Sequence, residues 1–84
     1  MSGAEILDTP TTVYAYTEGR DGWNNRLITV WCWSHEFKRW GSAKPTKFAD
    51  WHWGQQKLPK DAVSFDLHRG LTPYDAARKM GVIQ

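Results

Sequence analysis

One cysteine, no long hydrophobic run and no strong charge of either sign are the first properties of this 84-residue chain. Cys32, alone, excludes an intrachain disulfide and gives no reason to expect an oxidising compartment. Met1-Ser2-Gly3-Ala4-Glu5 lacks a basic start followed by an apolar run, and the longest apolar stretch, Leu27 to Trp33, is interrupted by Thr29. Neither a leader nor a membrane span is expected, so a cytoplasmic location is the default. Nucleophilic and nucleotide chemistry lack their usual marks: there is no Gly-x-Ser-x-Gly elbow, phosphate loop or Gly-x-Gly-x-x-Gly fingerprint. Ser34, His35 and Glu36 are adjacent and would point in different directions. Little room remains for an enclosed pocket in one domain of this size. The expectation is a protein that is not an enzyme and carries no cofactor.

What the chain does have is tryptophan. Five of its six tryptophans lie at Trp31, Trp33, Trp40, Trp51 and Trp53, interleaved with Lys38, Arg39, Lys44, Lys47 and Lys57. The net charge of +2 is too weak to imply a nucleic acid by itself, but it is unevenly distributed. Residues 1–34 balance to −2, residues 35–60 to +4 and residues 61–84 to zero, so the basic excess coincides with the rings. A ring offers contact area, a flat face and one N–H, which suits cores and binding surfaces alike. A domain this short needs some of them inside.

Periodicity gives an α+β reading: a small antiparallel sheet of three to four strands with a C-terminal α-helix packed on one face. Residues 1–10 read as a flexible N-terminal arm and residues 11–84 as the single domain. Thr11 to Thr17 alternates as a strand, Asp21-Gly22 reads as a tight reversal, and Arg26 to Trp33 is the strongest strand. Its alternation separates Leu27, Thr29, Trp31 and Trp33 from Ile28, Val30 and Cys32. Trp31 and Trp33 are expected as core bulk beneath Tyr74, Ala77 and Met80. Ser34 to Gly41 reads as one short helical turn capped at both ends, Phe48 to Trp53 fits strand or helix, and Ala62 to His68 alternates again. Thr72, Pro73 and Asp75 form a helix start, and Gly81 a left-handed stop with Val82 returning onto Ala77.

Two weaker constellations concern metals. Asp50-x-His52 and Asp66-x-His68 each place a carboxylate and an imidazole on one side of an extended strand; as neighbours they could hold zinc or iron. Cys32-x-x-His35 is half of a zinc pair, and a small buried thiol beside a surface imidazole is the better account of it. No metal is assigned.

The leading functional expectation is a non-catalytic binding protein, an inhibitor or regulator of a larger protein, in the style of phage-encoded, host-directed proteins. Trp40, Trp51 and Trp53 would serve as anchors, with Lys38, Arg39, Lys44 and Lys47 steering approach to an acidic patch. The alternative is a single-stranded or structured nucleic-acid binder using the same residues. A second alternative is a small metal-dependent enzyme built on the two Asp-x-His pairs. No membrane partner is expected, and exposed strand edges leave homodimerisation open.

Overall fold

A computed structural model describes residues 10–83. The expected N-terminal arm therefore lies outside the described residues except at Pro10. The chain forms β1 (Thr11–Arg20), β2 (Arg26–Ser34), β3 (Arg39–Ala43), β4 (His52–Gln55), β5 (Val63–His68) and α1 (Pro73–Lys79). All strands pair antiparallel in one sheet of order β4-β3-β2-β1-β5. The class is α+β as expected, with five strands rather than three to four. The strand missing from the sequence reading is β3, whose Arg-Trp-Gly-Ser-Ala has no β-branched residue and no clean alternation. Pairing with β2 creates it, through Trp33 opposite Trp40, Cys32 opposite Gly41 and Val30 opposite Ala43.

The segment read as a capped helical turn is instead the β2–β3 hairpin turn. Ser34 does cap, accepting from Phe37 N–H at 3.0 Å through Oγ, while Lys38 N–H reaches Ser34 O at 2.9 Å. Lys38, at φ 55°, provides the left-handed step. Gly41 belongs to β3 and terminates nothing.

Helix α1 follows its sequence signals. Thr72 Oγ1 accepts from Asp75 N–H at 3.1 Å, and Pro73 fills the first position. At the other end Gly81 has φ 80°; its N–H reaches Arg78 O, and Val82 N–H reaches Ala77 O, both at 3.1 Å. That pair of bonds is the Schellman closure.

The helix rests on the Val30 and Cys32 side of the sheet. Tyr14, Val30, Cys32, Ala43, Ala76, Ala77 and Met80 form the buried cluster, with Tyr16, Ile28, Phe65, Leu67, Trp51 and Trp53 packed around it. The alternation expected in β2 is therefore real, but Trp31 and Trp33 lie on the face away from α1. Placing them beneath Tyr74, Ala77 and Met80 is overturned. Small residues decide the side: α1 presents Ala76 and Ala77 and approaches strands bearing Val30, Cys32, Gly41 and Ala43, where indoles would hold it off.

One region extends beyond the five-stranded body. The β1–β5 ladder ends at Tyr16 opposite Val63, and the β2–β3 ladder ends at Val30 opposite Ala43. From Thr17 opposite Thr29 to Arg20 opposite Arg26, β1 and β2 pair, among the described residues, only with each other and form a two-stranded finger. Its tip is not the Asp21-Gly22 reversal expected. The left-handed residue is Asn24, at φ 63°, and Asn24 N–H closes on Asp21 O at 3.0 Å. The Asp21 carboxylate accepts from the N–H groups of Trp23 (2.8 Å) and Asn25 (2.9 Å), which fixes the turn without a positive-φ glycine.

Candidate partner-binding surface

The β3–β4 pairing contains a bulge. Trp40 faces Gln55 and Ser42 faces His52, so Trp53 and Gly54 together oppose Gly41. Trp51 and Trp53 are thereby turned onto the helix side, with Trp53 lying on Gly41. A Cβ at position 41 would stand 2.7 Å from Trp53 Cε3 and 3.2 Å from Trp51 Cβ, so only glycine leaves room for the ring.

From this seat a chain of rings runs along the edge of the core. Tyr14 and Trp51 are 6.1 Å apart between ring centroids, Trp51 and Trp53 6.1 Å, and Trp53 and Phe37 5.9 Å. Trp51 donates its indole N–H to Leu71 O at 3.1 Å, and Tyr14 Oη accepts from Leu71 N–H at 3.2 Å, so the β5–α1 connection is held on both backbone groups of one residue. These rings border a cleft of about 280 Å³ together with His35, Glu36 and Arg69. On its far side Trp53 joins Phe37 and Arg39 in a second, shallower depression. The cleft is smaller than the roughly 300–1,000 Å³ of small-molecule sites and suits one or two side chains of a partner.

Two titratable groups at the cleft floor are held neutral. Burial pushes the Cys32 thiol up to about 11, and burial likewise raises the Tyr14 phenol to about 12. Cys32 is accordingly a protonated core thiol, which is the bland reading of Cys32-x-x-His35.

The seven residues expected as one surface fall in three places. Trp51 and Trp53 line the cleft, with Arg39 in the depression on the far side of Trp53 and exposed Lys38 in the adjoining turn. Trp40 lies on the opposite face of the sheet, packed edge-on against Trp33 at 5.2 Å. Lys44 and Lys47 follow the other end of β3: Lys44 beside Phe48, and Lys47 Nζ 5.7 Å over the Tyr74 ring, which also takes Arg78. Trp40 therefore cannot act together with Trp51 and Trp53 on one flat contact.

The sequence reading missed Phe37 and Arg69 at the cleft and the two most exposed rings, Trp23 (85 %) and Phe48 (95 %). Trp23 carried a legible signal. It stands inside the turn joining two strands, where its own hairpin has nothing to cover it.

The two Asp-x-His pairs are not neighbours. His52 lies on β4 and His68 on β5, the opposite edges of the sheet, four strand spacings or about 19 Å apart. Among the described residues no group of three His, Cys, Asp or Glu could hold a metal ion. Among the same residues no helix is long and apolar enough to cross a membrane. Comparison with protein-family models, with curated proteins and with solved structures finds no match to this chain.

Proposed function

We propose that this is a non-catalytic binding protein that inhibits or regulates a larger protein partner, engaging it through the aromatic cleft. One observation carries the reading: the bulge seats Trp53 over Gly41 so that its ring forms the wall between two depressions flanked by Arg39 and Arg69. A rigid aromatic wall beside guanidinium groups is the composition of an interface anchor. The partner segment is an apolar side chain preceded or followed by a carboxylate, in keeping with the acidic patch expected from the basic excess. A cytoplasmic, host-directed role is the setting in which such a module would act. Nucleic-acid binding is supported less, because Lys44 and Lys47 lie at the far end of the sheet from Arg39 and form no continuous track with it.

The test is affinity capture from the native host with and without nuclease, followed by binding of the purified captured protein to wild type and variants. Arg39→Glu and Phe37→Ala should each weaken that binding at least tenfold while leaving the melting temperature unchanged. Retained affinity in both removes the cleft from the interface, and capture lost to nuclease transfers the function to the nucleic-acid reading.

A further inference from the structure

The point at which the chain enters the sheet bears on the aromatic cleft. Pro10 O accepts from Arg69 N–H at 2.9 Å, Thr11 stands opposite His68, and Thr12 Oγ1 donates to Trp33 O at 3.0 Å. Arg69 and Thr12 both line the cleft. The chain therefore enters β1 on the cleft's rim, at the end of the sheet that carries the β2–β3 turn and the β5–α1 connection. Immediately ahead of this point the sequence reads Glu5-Ile6-Leu7-Asp8, two adjacent branched apolar side chains between two carboxylates. The cleft offers the complement. Trp51, Trp53 and Phe37 supply apolar wall, Arg69 stands at the rim and Arg39 beyond Trp53, and Glu36 is the one carboxylate among the lining residues described.

We propose that Ile6 and Leu7 seat in the cleft of their own chain, with Glu5 and Asp8 toward Arg69 and Arg39, as a built-in occupant that a partner must displace. The inference rests on the cleft reading for the chemistry of the ligand and adds its regulation. Reach is sufficient. Leu7 is three residues before Pro10 and Ile6 four, which spans roughly 10–14 Å at ~3.3–3.6 Å per residue, starting from a carbonyl already bonded to a rim residue. So short a tether holds the pair at an effective concentration on the order of millimolar. Contacts too weak to join separate molecules then suffice to fill the cleft. A partner carrying the same pattern, an apolar side chain beside a carboxylate, competes with the segment, and its apparent affinity falls in proportion to the fraction of clefts left open.

The test is nuclear magnetic resonance of the full chain carrying a nitroxide at Ala4→Cys. Cys32 is a buried, protonated thiol and does not compete for the label. Amide signals of Phe37, Trp53 and Gly70 should broaden strongly. Trp23, at the finger tip and the length of β1 or roughly 33 Å from the rim, should keep its intensity. Ile6→Ser with Leu7→Ser should return most of the intensity at the cleft and leave amide exchange at Tyr14 slow. The captured partner should bind that double variant about threefold more tightly. No broadening at the cleft, or as much at Trp23 as at Phe37, overturns the proposal. Broadening that survives the double serine change overturns it too, because the apolar pair is then not what holds the segment. Broadening passed from nitroxide-labelled copies to separate isotope-labelled copies seats the segment in a second molecule and overturns the intramolecular arrangement. Unchanged partner affinity in the double variant overturns the competition. The partner reading itself fails on a different result, full partner affinity in both Arg39→Glu and Phe37→Ala, and the resonance measurement then decides occupancy by itself.

Discussion

The two faces of the sheet hold comparable aromatic bulk and differ in what surrounds it. On the helix side Tyr14, Trp51 and Trp53 are interleaved with Gly41, Ala43, Cys32, Ala76 and Ala77, and their polar atoms end on backbone groups. On the face away from α1 Trp31, Trp33 and Trp40 are half-buried among Thr and Ser, with Pro59 and Asp61 of the β4–β5 connection beside Thr17 and Thr29. The difference teaches that ring content does not mark the core of so small a domain. Closeness of approach does, and small residues provide it. Damage to the helix side should therefore cost the most stability, and damage to the face away from α1 less.

The largest break in that contrast is Tyr14→Ala. Tyr14 is fully buried, touches the Trp51 ring and takes the Leu71 N–H, so its removal should cost about 3–5 kcal/mol in urea unfolding. A cost below about 1 kcal/mol would mean that α1 does not close on this face.

Alkali probes the same floor without mutation. Cys32 and Tyr14 have pKa values raised in the folded state, to about 11 and about 12 from ordinary values of 9.0 and 10.0. The unfolded chain thus ionises first. The stabilisation is complete below pH 9, falls as pH rises through the thiol window of about 9 to 11, and falls further through the phenol window of about 10 to 12. The loss should be on the order of 2 kcal/mol, and Cys32→Ala should remove the earlier part of it. Unchanged urea midpoints between pH 8 and 10.5 would contradict the burial of both groups.

Gly41→Ala comes next. The new methyl meets Trp53 at under 3 Å, so the ring must leave its seat, at about 1–3 kcal/mol. Trp53→Ala should make the same glycine substitution nearly silent. If the two costs simply add, the ring is not what position 41 accommodates.

This position also shows how far the sequence was readable. The caps of α1, the alternation of β2 and the strand at β5 are local signals, and each appears where its residues place it. Which face of β2 turns inward is not local: it depends on the bulge at Trp53-Gly54 and on the alanines of a helix more than forty residues away. β3 exists only through its neighbour's ladder. The candidate site suffered most, because spacing along the chain put Trp40 beside Trp53 while pleating sent them to opposite faces.

A smaller effect tests the face away from α1. Trp31→Phe keeps a ring over Ala15 and deletes only the N–H donated to Thr17, so it should cost about 1 kcal/mol. A loss as large as that of Tyr14→Ala would erase the contrast between the faces.

The finger tip should respond least of all in global stability and most sharply in local order. Hydrogen bonds from Asn25 and Trp23 N–H hold the Asp21 carboxylate below its ordinary pKa of 3.8. A depressed carboxylate contributes above its unfolded value and ceases to contribute as pH falls through the folded one, so the turn loosens only below about pH 4. Asp21→Ala imitates that state at neutral pH. Because no other strand among the described residues pairs with the finger, its opening leaves the Tyr14 and Val30 core untouched. Amide exchange at Trp23 and Asn25 should accelerate while exchange in β1 near Tyr14 stays slow. Equal acceleration at both places would show that finger and body unfold as one unit, and the two-stranded extension could no longer be treated as a separate element.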